Sequence, residues 1–135
     1  MIQKLNFLKI KETCLYFRDL EKARLFYHEV LGLPVISYVA GKHIFFRAGS
    51  SVLLCFNPDD SSSKKSPPGH FGEGKYHFAF EVRREEYEQH KREIEARKIV
   101  IKDKVIWGTG QESFYFIDPG GNVVEIVPEG MWDQN

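Results

Sequence analysis

Three residues that can bind metal ions stand in apolar, strand-like runs far apart in the chain: Glu12, His77 and Glu125. Glu125 lies in the run Val-Val-Glu-Ile-Val, shortly after a tight Asp-Pro-Gly-Gly turn. A charge in an apolar strand needs a partner, and a cation suits a carboxylate best. Two carboxylates and one imidazole suit Mn²⁺, Zn²⁺, Ni²⁺ or Mg²⁺. The pattern predicts one divalent metal site that leaves coordination positions open for a substrate.

Other residues with useful chemistry are predicted to lie near this site. Alternation along a strand places Tyr16 on the same face as Glu12, where it would line the substrate pocket. Tyr115 is predicted to donate a proton or to orient the substrate, and Trp107 to form a wall of the pocket. Arg47 is predicted to bind an anionic group of the substrate. For these four, a core, turn or surface position is the alternative interpretation.

The elements that must position these residues occur twice along the chain. A strand at 8–17 leads into a helix that Asp19 caps and Gly32 ends, and three short strands follow. From residue 76 the same order returns: a strand, a charged helix at 84–97 and three further strands. The sequence therefore predicts an α+β fold built from two βαβββ units.

The predicted boundaries place the whole chain in a single domain, residues 1–135. Its repeat units are expected at about 8–57 and 75–128. The segment 58–74 between them is rich in serine, proline and glycine. That composition predicts a flexible linker, and a lid over the site is the alternative.

Composition narrows the possible partners. Nineteen basic residues balance nineteen acidic ones, which gives no support for nucleic acid or an anionic membrane as a partner. The expected partners are small molecules or a second copy of the chain. Cys14 and Cys55 lie in apolar runs without a disulfide framework, so both are predicted to be buried, reduced thiols. With no spanning apolar run and no signal sequence, we expect a cytoplasmic protein.

Three short motifs in the first unit carry a family resemblance: Asp-Leu-Glu at 19–21, Phe-Tyr at 26–27 and Leu-Gly at 31–32. With the repeated units, they resemble the glyoxalase/bleomycin-resistance/dioxygenase family, also called the vicinal oxygen chelate superfamily. The resemblance implies curved mixed sheets around a metal cleft. It also implies a homodimer, in which a site can be assembled from both chains.

The resemblance further implies a role for each predicted ligand. Glu12 stands seven residues before Asp19 and Glu125 seven residues after Asp118, which are the first and last ligand positions of the family. His77, at the start of the second unit, takes the middle position. Singly, these residues have structural explanations: a surface carboxylate, a core histidine and a glutamate paired to lysine or arginine. Their joint agreement with the ligand positions favours the metal site.

Several functions are compatible with this resemblance. A metal-dependent lyase, isomerase or transferase acting on a small oxygenated substrate is favoured, with Glu12 as the candidate base. A metal-free binding protein of the bleomycin-resistance type and a ring-cleaving dioxygenase are the alternatives. The single histidine disfavours the dioxygenase. Lactoylglutathione lyases have a further carboxylate ligand on the last strand of the first unit, but residues 52–56 contain no carboxylate, and Cys55 is the only substitute donor there.

Overall fold

The computed structural model describes residues 4–133. The chain divides into two compact units, the first extending to Phe71 and the second beginning at Gly72. No helix in the described part of the chain is long and apolar enough to cross a membrane.

The first unit is a four-stranded mixed sheet with one helix packed on it. Its elements are β1 (Glu12–Tyr16), α1 (Leu20–Ala23) continuing as a π-helical segment (Arg24–Val30), β2 (Val35–Val39), β3 (His43–Ala48), β4 (Ser51–Phe56) and α2 (Pro58–Ser61). The strand order is β1-β4-β3-β2, with β1 parallel to β4 and the other pairs antiparallel. Strand β1 is shorter than predicted because its partner β4 pairs only with residues 12–16.

The helix of the first unit forms where the sequence predicts it. The Asp19 carboxylate accepts hydrogen bonds from the backbone N–H groups of Glu21 and Lys22, which caps the helix. Gly32 follows the helix with a φ of +85°, a conformation that suits glycine. The apolar side of the helix packs on one face of the sheet, where the Tyr27 and Phe46 rings lie 5.7 Å apart and are fully buried.

The second unit repeats this arrangement. Its elements are β5 (His77–Val82), a 3₁₀ turn (Arg84–Glu86), α3 (Tyr87–Ala96), β6 (Asp103–Ile106), β7 (Glu112–Ile117) and β8 (Val123–Pro128). The order β5-β8-β7-β6 matches that of the first sheet, again with the outermost pair β5 and β8 parallel. The predicted α+β fold of two βαβββ units is therefore confirmed.

The two sheets also share their register. Glu12 pairs with Val52, and His77 pairs with Val123, so β1 and β5 begin opposite equivalent positions. The next residue on the same face of β4 is Leu54, and its antiparallel partner on β3 is Phe45. The next residue on the same face of β8 is Glu125, and its antiparallel partner on β7 is Tyr115. The corresponding positions of the two sheets are Glu12 and His77, Leu54 and Glu125, and Phe45 and Tyr115.

The segment 58–74 is more ordered than its composition suggests. Asn57 caps α2 by accepting a hydrogen bond from the Asp59 N–H. Ser61 is buried and holds His70 by two hydrogen bonds, one from its hydroxyl to the His70 carbonyl and one from the His70 N–H to its own carbonyl. Most of this segment therefore belongs to the first unit.

Candidate functional site

His77 and Glu125 form a close pair on the helix-free face of the second sheet. His77 Nε2 lies 3.1 Å from Glu125 Oε1. His77 Nδ1 lies 3.0 Å from the carbonyl oxygen of Val123, the residue opposite it on β8. A carbonyl only accepts, so Nδ1 carries the hydrogen and Nε2 of a neutral ring has a lone pair. That lone pair faces a carboxylate, an arrangement that requires a proton or a metal ion between the two atoms.

The geometry of this pair fits two ligands of one divalent ion. Donor atoms about 2.1 Å from a common ion and at about a right angle to each other lie roughly 3 Å apart. A histidine whose other ring nitrogen donates to a backbone carbonyl is the usual form of a metal-binding histidine. The Glu125 side chain is only 9% exposed whereas that of His77 is 53% exposed, so the pair is reached from one side. The partner of the Glu125 carboxylate is thus a histidine, and not the lysine or arginine that the structural interpretation predicted.

A row of polar side chains crosses the same face toward Glu125. The Trp107 indole N–H donates to Ser113 Oγ at 3.0 Å, and Ser113 Oγ lies 3.5 Å from the Tyr115 hydroxyl. Tyr115 in turn is paired with Glu125 across β7 and β8. Because an indole N–H only donates, the Ser113 hydroxyl hydrogen is left to point toward Tyr115. The row therefore orients the Tyr115 hydroxyl hydrogen toward Glu125.

Electrostatics agree with this orientation of Tyr115. Burial is the main cause that raises the pKa of Tyr115, the Ser113 hydrogen bond opposes it, and the hydrogen bond with the Glu125 carboxylate raises it further. A phenol with a raised pKa stays protonated at neutral pH and can donate to a carboxylate. Tyr115 is thus placed to hold Glu125 in position.

The turn between β7 and β8 fixes the strand that carries Glu125. The buried Asp118 carboxylate accepts hydrogen bonds from the backbone N–H of Gly120 and from both the backbone and the side-chain amide of Asn122. The Asn122 side-chain oxygen accepts from the Tyr76 N–H, next to the start of β5. One turn therefore sets β8 against both of its neighbours, and with them the distance between His77 and Glu125.

The remaining predicted site residues lie in the first unit. Glu12 is exposed on the helix-free face of the first sheet, and Arg47 is exposed on the same face. The Tyr16 hydroxyl lies 2.7 Å from His70 Nδ1. Within the second unit the structure brings together His77, Glu125, Tyr115 and Trp107.

The two cysteines lie on opposite faces of the first sheet. Cys14 is exposed, which corrects the prediction of a buried thiol. Strand β1 is at the sheet edge, and its Cys14 side faces away from the helix. Partial desolvation and the Glu12 carboxylate raise the pKa of Cys14. Cys55 is fully buried on the helix side, so it does not share the face of Glu12 and does not replace a carboxylate ligand there.

Residues 4–133 contain no group of three or more His, Cys, Asp or Glu side chains arranged to hold one metal ion. The structure therefore shows the His77–Glu125 pair, and a metal site that includes Glu12 stays a prediction. Sequence reasoning missed Ser113 and the role of Asn122. Ser113 stands two residues before Tyr115, so strand alternation was a signal for it.

Known proteins share both the sequence pattern and the fold. A lactoylglutathione lyase from Agrobacterium tumefaciens is 35% identical, with a TM-score of 0.86 over 94% of this chain and 98% of that chain. The glutathione transferase FosA of Serratia marcescens is 28% identical over 93% of this chain and 81% of its own length. A glyoxalase/bleomycin resistance protein/dioxygenase from Nocardioides shares the fold, with a TM-score of 0.72 at 21% identity over 98% of this chain and 91% of that one.

The family pattern itself extends over residues 9–126, which is nearly all of both units. It includes all three predicted ligand positions. The chain belongs to the Glyoxalase/Bleomycin resistance protein/Dioxygenase superfamily.

Proposed function

We propose that this protein is a metal-dependent enzyme that acts on a small oxygenated substrate, with His77, Glu125 and Glu12 as its metal ligands. The observation that carries the proposal is the His77–Glu125 pair. The Nδ1 hydrogen is held by Val123, which leaves Nε2 directed at a carboxylate oxygen 3.1 Å away. A ring held in this way is the usual form of a metal-binding histidine.

The residues of the chain would divide the work as follows. The bound ion would supply Lewis-acid stabilisation of negative charge on a substrate oxygen. Tyr115 holds the Glu125 carboxylate in place through its hydroxyl. Glu12, exposed on the first sheet, would act as the general base that accepts a proton from the substrate.

The substrates we propose are a thiol, such as glutathione, and a small electrophile, taken up either as separate molecules or as their adduct. Two relatives support it by name, a lactoylglutathione lyase and a glutathione transferase. The absence of a carboxylate in residues 52–56 favours a three-ligand site and a transferase over the lyase.

We also propose that the protein is a homodimer. Four apolar side chains that precede β1 are 77–94% exposed: Leu5, Phe7, Leu8 and Ile10. Large apolar side chains exposed together in one short segment are usually covered by a partner. A second copy of the chain would cover it in a symmetric interface. Light scattering at micromolar concentration should give twice the mass of one chain, and a value of one chain mass contradicts the dimer.

Calorimetric titration with Mn²⁺, Zn²⁺ and Ni²⁺ tests the metal site. We expect one ion per chain, and Glu125→Gln should weaken binding about a hundredfold while the fold survives. Glu95→Gln makes the same chemical change at an exposed position of α3 and should leave the affinity unchanged. Equal binding by both variants excludes Glu125 as a ligand, and no binding by the wild type favours a metal-free binding protein.

The thiol class is tested separately with the metal-loaded protein. Glutathione is supplied with an epoxide in one assay and with an α-ketoaldehyde in another. Formation of the glutathione–epoxide product alone indicates a transferase, and turnover of the ketoaldehyde–glutathione adduct alone indicates a lyase. Turnover of neither, by a protein that binds metal, rejects the thiol class and leaves the metal site standing.

A further inference from the structure

Three partly buried aromatic rings form a cluster on the helix-free face of the first sheet. The His43 and Phe45 rings are stacked, with centroids 3.9 Å apart and an angle of 10° between their planes. The Phe56 ring meets Phe45 edge-on at 5.3 Å. The Ser37 hydroxyl lies 3.0 Å from His43 Nε2 and fixes the imidazole. The stack is therefore ordered before any ligand arrives.

The direction of the stack leaves one face of Phe45 available. His43 and Phe45 are successive residues on the same side of β3, so the stack runs along the strand. His43 covers one face of the Phe45 ring, and Arg47 is the next residue on the same side of the strand. In the described chain the ring contacts of Phe45 are with His43 and Phe56, so no other aromatic ring occupies its second face.

Arg47 supplies a positive charge within reach of that ring. It is exposed, and in the described part of the chain its guanidinium makes no hydrogen bond or ion pair. Residues two apart on a strand have Cα atoms about 6.6 Å apart, so the long Arg47 side chain can reach an anionic group of a ligand that lies on the Phe45 ring. Glu12, the acidic residue in the same row, is about 9–10 Å away across Val52.

The other edge of the cluster is polar. His70 stands edge-on to Phe56 with ring centroids 4.5 Å apart, and its Nδ1 is 2.7 Å from the Tyr16 hydroxyl. Ser61 holds the His70 backbone in place. The cluster thus has an aromatic floor, a cationic end and a wall that carries hydrogen-bonding groups.

We infer that this face binds a planar aromatic anion, whose ring stacks on Phe45 and whose carboxylate pairs with Arg47. The guanidinium matches a carboxylate in planar, bidentate geometry, and stacked rings attract beyond simple area burial. The site goes beyond the proposed enzyme because it uses neither His77 nor Glu125. It requires no metal ion.

Three probes separate the charge from the ring. The full-length protein is titrated by calorimetry with 2-naphthoate, with 2-naphthalenemethanol, which lacks the charge, and with decalin-2-carboxylate, which lacks the aromatic rings. Each titration is run with and without EDTA. We expect 2-naphthoate to bind about tenfold more tightly than either of the other two, with no effect of EDTA.

Variants locate the binding. Arg47→Gln should bring 2-naphthoate to the affinity of the uncharged probe, and Phe45→Leu should remove the preference for aromatic rings. Arg92→Gln, the matched change at an exposed position of α3, should leave all three affinities unchanged. Thermal melts check that Phe45→Leu folds. Arg47 is exposed, so the binding result for Arg47→Gln does not depend on the folding of Phe45→Leu.

Several results overturn the site. Equal affinity for the three probes removes the proposed ligand class, and equal binding by Arg47→Gln and Arg92→Gln removes the location. If binding of the probes disappears with EDTA, the probes bind to a metal ion and not to the aromatic cluster. If no probe binds, the site is removed whatever the oligomeric state. Failure of the metal titrations leaves the inference intact, because the probes are tested in metal-free protein.

Discussion

The two sheets have the same strand order and register, yet their helix-free faces carry different chemistry. In the second sheet, His77, Glu125 and Tyr115 supply an imidazole, a carboxylate and a phenol. In the first sheet, the positions equivalent to Glu125 and Tyr115 hold Leu54 and Phe45. One face is thus built around a charge and the other around stacked rings.

The difference shows which part of a repeat is free to change. On the helix side, both sheets bury large apolar residues, for example Phe46 in the first and Phe116 in the second, each fully buried. Close packing restricts those positions in size and polarity. The helix-free faces lack that constraint, so the same backbone can hold the His77–Glu125 pair in one unit and an aromatic cluster in the other.

Replacing one histidine in each sheet should give the largest contrast. We expect His77→Ala to weaken divalent metal binding more than about a hundredfold, because it removes a nitrogen ligand. His43→Ala, the matched change in the first sheet, should leave metal binding unchanged. Calorimetric titration with Zn²⁺ measures both. Equal losses in the two variants would remove the functional difference between the sheets.

The strand turns of the two sheets should also respond differently. Asp118→Ala removes a buried carboxylate that accepts from three N–H groups, and should lower the free energy of unfolding by about 2 kcal/mol. Ser51→Ala, at the turn between β3 and β4, should cost less than about 0.5 kcal/mol. Urea unfolding of both variants decides this, and a loss below that of Ser51→Ala contradicts the role of Asp118.

The polar row in the second sheet should tune the metal pair without unfolding the protein. Ser113→Ala breaks the link between Trp107 and Tyr115, and should lower metal affinity about tenfold through misplacement of Glu125. Ser37→Ala removes a hydroxyl from the same face of the first sheet and should have no effect on metal affinity. The fluorescence of Trp107 should change only in Ser113→Ala. An unchanged affinity would show that Tyr115 positions Glu125 without Ser113.

The attachment of the helices gives the smallest expected difference. In the second unit the Glu112 carboxylate lies 2.6 Å from Lys91 Nζ, and this hydrogen bond is the main cause that lowers the pKa of Glu112. A lowered carboxyl pKa contributes stability that is present above the unfolded pKa and is lost as pH falls through the folded pKa. Glu112→Gln should therefore cost less than about 1 kcal/mol at neutral pH. The cost should shrink below about pH 4.

Urea unfolding of Glu112→Gln and wild type at pH 7 and pH 3.5 measures this change. Tyr38→Phe, which removes a hydroxyl bonded to Glu21 in the first unit, is the comparison at an exposed pair. A difference between Glu112→Gln and wild type that grows on acidification would contradict the ion pair with Lys91.

Local features could be read from the sequence because each depends on a few neighbouring residues. The Asp19 cap and Gly32 predicted the ends of the first helix correctly. Boundaries at sheet edges were less accurate, since the strand predicted at 8–17 pairs with β4 only over residues 12–16. The edge position of β1 likewise exposed Cys14, which the apolar run alone placed in the core.

The sequence by itself determined the repeat, the family and the residue types that can bind a metal, because these depend on spacing and composition along the chain. Only the tertiary structure decided that Val123 fixes the His77 ring, that Ser113 joins Trp107 to Tyr115, and that Phe45 stacks on His43. Such contacts depend on strand register and on the direction of each side chain. Those are set by pairing between residues that are distant in sequence, which no local pattern encodes.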